Sequence, residues 1–109
     1  MHATKRLGLL ALLAAAAAGS PAAAQELGDA RKGLAFAQKF CAECHAVAPG
    51  QPVPAAAPPF RAIANTPGMT GLALAVFLRT PHRNMPNLII SDRDRDNVIA
   101  YILSLRDKR

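Results

Sequence analysis

The chain has no tryptophan, one tyrosine and only two cysteines among its 109 residues. No run of alternating β-branched residues bounded by turn dipeptides occurs, so the pattern does not predict a β-sheet. The longest apolar run, residues 7–18, is short of the roughly 20 residues needed to span a bilayer. Internal repeats and a linker long enough to separate two domains are also absent. These absences leave one small helical domain.

The amino-terminal residues have the organisation of a secretory signal. Lys5 and Arg6 precede the apolar run, residues 19–21 break it, and three alanines follow that suit a signal peptidase. We therefore expect residues 1–24 to be a cleavable signal peptide and residues 25–109 to be the mature domain. Export to the periplasm follows from such a signal, and a retained membrane anchor is the alternative.

Helical patterns occur in four places. The sequence predicts helices from Asp29 to about His45, from Pro59 to Asn65 and from Gly71 to Arg79, and a last helix after Ser91 in which apolar residues repeat at helical spacing. The prolines at positions 49, 52 and 54 exclude a helix from the first of the intervening loops. The expected fold class is therefore all-α, with about four helices.

Two of these helices have a recognisable start signal. Thr70 is an expected cap of the third helix. Ser91 followed by Asp94 is a variant of the capping box, and acids load the first turn of the last helix where the helix dipole favours them.

Both cysteines lie in the segment CAECH, residues 41–45. On a helix, Cys41, Cys44 and His45 stand at i, i+3 and i+4 and project from one face. That arrangement suits haem c, because two thiols can add to the two vinyl groups of a flat macrocycle and the imidazole can bind its iron. The sequence therefore predicts one covalently attached haem.

Three other interpretations of the segment remain open at this point. A thioredoxin-type redox pair also uses C-x-x-C, but it follows a strand. A zinc site would take Cys41, Cys44, His45 and His82, although adjacent ligands suit one tetrahedral site poorly and a second paired motif is missing. A structural disulfide is the third, and so small a closed loop would stabilise the fold little.

An iron bound by His45 has a second axial position, for which the mature chain offers three candidates. Met85 lies in PHRNMPNL, where Pro86 fixes the local backbone of a loop that must hold one sulfur still. The alternative interpretation of Met69, which follows Pro67 and Gly68 in a turn, is a gap-filling core side chain. His82 is either an exposed loop histidine or the ligand of a bis-histidine site. We expect Met85 to be the ligand.

Four motifs in this order make the chain resemble the class I c-type cytochromes, especially the small periplasmic cytochromes of bacteria. They are CAECH, then PPF at residues 58–60, then HRNMPNL around Met85, then NVIAYILSL near the carboxyl end. The resemblance covers about Asp29 to Leu105. It implies the small cytochrome c fold, with its helices packed around one haem.

The resemblance also implies specific contacts. In that family the iron-binding histidine donates its other ring N–H to a proline carbonyl in the following loop, which here matches Pro58, with Pro59 as the alternative. The family's first and last helices cross through a small residue and aromatics, and Gly33 and Tyr101 match that pattern.

The function implied is single-electron transfer by a monomer with His45 and Met85 as iron ligands, and not enzymatic catalysis. A haem c subunit of a larger oxidoreductase and a ligand-binding haem sensor are the alternatives. The mature region carries 11 Lys and Arg against 7 Asp and Glu, or 11 − 7 = +4. We therefore expect periplasmic or membrane-bound redox partners with acidic docking surfaces. We expect no nucleic-acid partner, because no basic stripe is interleaved with aromatics.

Overall fold

The computed structural model of the protein describes residues 28–54 and 56–108. They contain four helices, which are α1 (Ala30–Phe40), α2 (Phe60–Ala64), α3 (Gly71–Phe77) and α4 (Asp92–Ser104). The only β feature in these ranges is a single bridge between His82 and Met85. The prediction of an all-α fold is therefore confirmed. The expected signal peptide, residues 1–24, lies outside the described residues. The longest described helix, α4, has 13 residues, and none of the described helices could span a bilayer.

Helix α1 begins where the sequence predicts and ends earlier. The Asp29 carboxylate caps it by accepting hydrogen bonds from the backbone N–H groups of Lys32 and Arg31, and these bonds lower the pKa of that carboxyl. The prediction that the helix reaches His45 is wrong, since the regular helix ends at Phe40. The hydrogen-bond pattern changes there, because the N–H of residue 42 donates to the carbonyl of residue 37, five positions back and not four.

Helix α3 has the predicted cap, because the Thr70 hydroxyl accepts from the N–H of Ala73 at 3.0 Å. It ends at Phe77, two residues before the predicted end at Arg79. The turn that follows is tightened, since the N–H of Arg79 donates to the carbonyl of Val76 only three positions back, at 3.1 Å. The chain then leaves the helix before the following proline.

Helix α4 also begins at the predicted cap. The hydroxyl of Ser91 accepts from the N–H of Asp94 at 3.1 Å, and the same hydroxyl donates to the Asp94 carboxylate at 2.7 Å. The reciprocal bond of a capping box thus runs to the serine side chain and not to its backbone.

Helices α1 and α4 form the largest interface between the described elements. Their backbones meet at Gly33, where an added Cβ would overlap the carbonyl of Asn97 and lie 2.8 Å from the Cβ of Tyr101. A second link lies nearby, because the N–H of Asp29 donates to the Asn97 side-chain oxygen at 2.8 Å. The contact between Gly33 and Tyr101 that the resemblance implies is therefore present.

The buried core lies between this helix pair and the remaining elements, and its large members are Val47, Phe60, Leu74, Val98, Tyr101 and Ile102. Tyr101 is 6% exposed, and its hydroxyl donates to the carbonyl of Val47 in the loop after CAECH. Burial raises the pKa of this phenol. Helix α4 therefore fixes the position of the loop that follows the two cysteines.

Candidate cofactor site

The CAECH segment forms one turn directly after α1. The carbonyl of Cys41 accepts hydrogen bonds from the N–H of Cys44 at 3.2 Å and from the N–H of His45 at 2.9 Å. The second bond is the i to i+4 bond of an α-helix, so the three side chains keep helical spacing beyond the end of α1. All three are half-buried, both thiols are free, and burial raises the pKa of the Cys41 thiol. One turn thus presents two free thiols and an imidazole.

His45 is held by the proline loop that follows it. Its ring Nδ1 lies 2.6 Å from the carbonyl oxygen of Pro58, and in the neutral tautomer that satisfies this contact Nδ1–H donates. The Nε2 atom then keeps its lone pair for a metal ion, and the bond makes the imidazole a more strongly donating ligand. Pro59, the alternative in the sequence, stands instead at the N-cap position of α2, without a side-chain capping bond.

The proline loop is itself fixed to the core by Phe60. The N–H of Phe60 donates to the carbonyl of Ala46 at 2.9 Å. Its ring, 4% exposed, lies with its centre 5.2 Å from that of His45 and 6.4 Å from that of Tyr101. The orientation of the imidazole is therefore determined by packing as well as by its hydrogen bond.

Met85 lies in the loop between α3 and α4. Residues 82–85 form a tight turn, in which the N–H of Met85 donates to the carbonyl of His82 at 3.3 Å. The Met85 side chain is half-buried and lines a narrow cleft together with Phe77, Thr80 and His82. The turn thus carries its thioether beside an aromatic residue of α3.

The other two candidates for the second axial position have partners of their own. Met69 packs against the core, and its carbonyl accepts from Arg106. His82 has its Nδ1 atom 2.6 Å from the carbonyl of Thr80, and its ring meets that of Phe77 edge-on with centres 4.9 Å apart. Met69 therefore has a structural role that needs no metal ion, whereas His82, whose Nδ1 contact leaves Nε2 free as in His45, stays the alternative ligand.

Two of the open interpretations of CAECH gain no support from the geometry. Among residues 28–54 and 56–108, no three His, Cys, Asp or Glu side chains are grouped as a metal site, so a zinc site of Cys41, Cys44, His45 and His82 is not formed. No strand precedes the segment within the described residues, as a thioredoxin-type pair would require. The third interpretation is not realised either, because the two cysteines are not bonded to each other.

Large apolar side chains remain exposed in the described part of the chain, and they are Phe40, Val53, Leu72, Val76, Phe77, Leu88 and Ile89. Two of them, Phe77 and Leu88, line the cleft of Met85 and are 51% and 37% exposed. Clustered apolar surface of this kind marks a region that a ligand or partner covers.

Comparisons with known proteins agree with these features. Residues 28–102 match the family described as "Cytochrome C oxidase, cbb3-type, subunit III". Cytochrome c-552 of Bradyrhizobium diazoefficiens is 40% identical over 100 residues, which cover 91% of this chain and 93% of that protein. No solved structure matches the chain.

The chain therefore belongs to the class I c-type cytochromes. Its cofactor is the covalently attached haem c of that family, and its function is electron transfer with other redox proteins. The described residues fit this group, since they offer two free thiols one turn apart, an imidazole with a free Nε2, and exposed apolar side chains beside a thioether.

Proposed function

We propose that Cys41 and Cys44 form the two thioether bonds to the haem, and that His45 and Met85 are the axial ligands of its iron. The observation that carries this proposal is the bond between His45 Nδ1 and the Pro58 carbonyl. It holds the imidazole in the tautomer that leaves Nε2 available, directly beside the two free thiols.

The protein residues then define how the site works. The bound haem supplies one iron that changes between its ferric and ferrous states. His45 donates more strongly because Pro58 accepts its other ring proton, and the thioether of Met85 favours the reduced iron and raises the potential. Two protein ligands leave no coordination position for a substrate. We therefore assign no catalytic residue, and we prefer an electron carrier to an enzyme or a ligand-binding sensor.

The amino-terminal sequence supports a periplasmic location. A basic start, an apolar run and three small residues precede residue 25, which is the organisation of a secretory signal. We propose that residues 1–24 are removed and that residues 25–109 carry the haem.

One measurement tests both the attachment and the cleavage. The intact mass of the denatured protein from the periplasmic fraction is expected to equal residues 25–109 plus one haem. The double variant Cys41→Ser, Cys44→Ser should lose the haem completely, because no thiol remains to form a thioether. A denatured double variant that still carries haem would refute the attachment, and a haem-bearing chain that retains residues 1–24 would show an uncleaved anchor.

The partners that we propose are redox proteins with acidic docking surfaces, which meet a monomeric carrier in brief encounters. Arg31, Lys32, Lys39 and Arg83 are exposed and form no ion pair among the described residues, and Arg83 lies in the same turn as Met85. Such charges act mainly on the rate of encounter.

Electron transfer to an acidic acceptor should therefore slow as salt is added. Between about 10 and 150 mM ionic strength the screening length falls from roughly 30 to 8 Å, so the rate constant should fall severalfold. A stopped-flow series with an acidic and a basic acceptor of similar potential measures this. A rate constant that does not change with salt concentration, or that rises with it for the acidic acceptor, would contradict docking on an acidic partner surface.

A second candidate function has an observation in its favour, since the description of the matched family names an oxidase subunit. In that case the chain would deliver electrons within a permanent complex. Copurification with a larger redox protein through washes at high salt would support this candidate, whereas a free monomer would support the diffusing carrier.

A further inference from the structure

We term residues 82–85 the Met85 turn. Its first residue, His82, attaches the turn to the end of α3. The ring of His82 contacts that of Phe77, the last residue of α3, and its Nδ1 atom contacts the carbonyl of Thr80, which follows the helix. From this anchor the turn closes in four residues, through the bond between the N–H of Met85 and the carbonyl of His82. The direction in which Met85 leaves the turn therefore depends on the backbone angles of the two residues between.

One of these backbone angles, the φ of Asn84, is unusual. This φ is 64°, and no other non-glycine residue in the described part of the chain has a positive φ. This left-handed conformation is unfavourable for most L-residues, least so for asparagine and aspartate, and most so for β-branched ones. The side chain of Asn84 is exposed and forms no observed hydrogen bond. Contacts of the side chain therefore do not explain why an asparagine stands at this position.

We propose that Asn84 is a positioning residue for the Met85 ligand, because it allows the left-handed angle that aims the thioether. The inference rests on the proposed role of Met85 as an axial ligand. A residue that resists this angle would open the turn and release the sulfur from the iron for a larger fraction of the time. Ligand strength would then fall although Met85 itself and every core contact are unchanged.

The test compares three substitutions in the haem-loaded protein. Asn84→Val opposes the left-handed angle, whereas Asn84→Gly accepts it without steric strain. The matched control is Gly50→Val, which places the same side chain at another positive φ, 81°, where an added Cβ meets nothing within 4 Å. The readouts are the long-wavelength band of ferric haem bonded to sulfur, the potential, and the rate of carbon monoxide binding to the reduced protein.

We expect Asn84→Val to weaken the band, lower the potential and bind carbon monoxide about tenfold faster than the unaltered protein. For Asn84→Gly, the rate of carbon monoxide binding should stay within about twofold of that of the unaltered protein. Gly50→Val should lower thermal stability yet leave the three readouts unchanged. If Asn84→Val does not accumulate, Asn84→Ala makes the same comparison with a smaller side chain.

The outcomes separate this inference from the proposal on which it rests. An Asn84→Val protein with unaltered band and carbon monoxide rate, beside a Met85→Ala protein that has lost the band, would overturn the positioning role alone. An equal effect of Gly50→Val would also overturn it, because general destabilisation would then explain the change. A Met85→Ala protein that keeps the band would instead overturn the ligand assignment.

Discussion

Met85→Ala is expected to abolish the weak long-wavelength absorption of the oxidised protein, to lower its potential and to open the iron to carbon monoxide. The reason is the loss of the only thioether on the turn between α3 and α4, a soft ligand that favours the reduced iron. The covalent haem should be retained, because neither thiol is touched. Optical spectra of both oxidation states, a redox titration and a carbon monoxide titration measure the three effects.

Met69→Ala is the matched control, since it removes a thioether of the same kind from a side chain that packs against the core. It should cost about 2 kcal/mol of stability, near the lower limit for a truncated methionine, and leave the band in place. Loss of the band in Met69→Ala but not in Met85→Ala would move the ligand to Met69. A wild-type protein without the band would point to His82.

Gly33→Ala is expected to have the largest effect on stability. The added methyl group would overlap the backbone carbonyl of Asn97, and a backbone cannot move aside as a flexible side chain does. Overpacking costs about 1–3 kcal/mol and occasionally more, and we expect the upper end or beyond because α1 and α4 must separate. A domain of this size has roughly 5–15 kcal/mol of stability in total. Urea unfolding of the haem-loaded protein measures the loss.

Gly71→Ala provides the comparison for that experiment. Gly71 opens α3, and its added Cβ would lie 3.6 Å from the side chains of Ile99 and Leu103, which is ordinary van der Waals contact. Alanine also favours the helix, by up to about 1 kcal/mol, so this variant should be as stable as the wild type or more so. Equal unfolding midpoints for the two variants would contradict the close crossing at Gly33.

The positions of the helices could be predicted because their caps and periodicity are local properties. Thr70 and Ser91 mark the starts of α3 and α4 in the sequence as they do in the structure. The end of α1 could not be predicted in this way. Residues 41–45 contain no helix breaker, and their turn is stabilised by contacts with the proline loop and with Phe60, which are distant in the chain.

The candidate site residues come from CAECH and from the Met-Pro loop, and their roles stay a prediction. Of the contacts that support them, the bond from His45 to the Pro58 carbonyl was implied by the resemblance, whereas the packing of Phe60 and the conformation of Asn84 were not. The conformation of Asn84 has a weak sequence signal, an asparagine in a proline-flanked loop. The burial of Arg95 has no sequence signal, because an arginine in the first turn of a helix usually faces solvent. Here it is 5% exposed and pairs with Asp92, whose pKa this bond lowers.

The pairing of α1 with α4 also determines how the chain reaches its native state. The hydrogen bond between Asp29 and Asn97 joins residues 68 positions apart, and the largest interface lies between the first and last described helices. Closing so long a segment costs chain entropy before any contact is gained, so folding should be slower than in a bundle of sequential helices. Before α4 docks, α1 and the CAECH turn lack their largest packing partner. We therefore expect the two cysteines to stay accessible for haem attachment until α4 has docked.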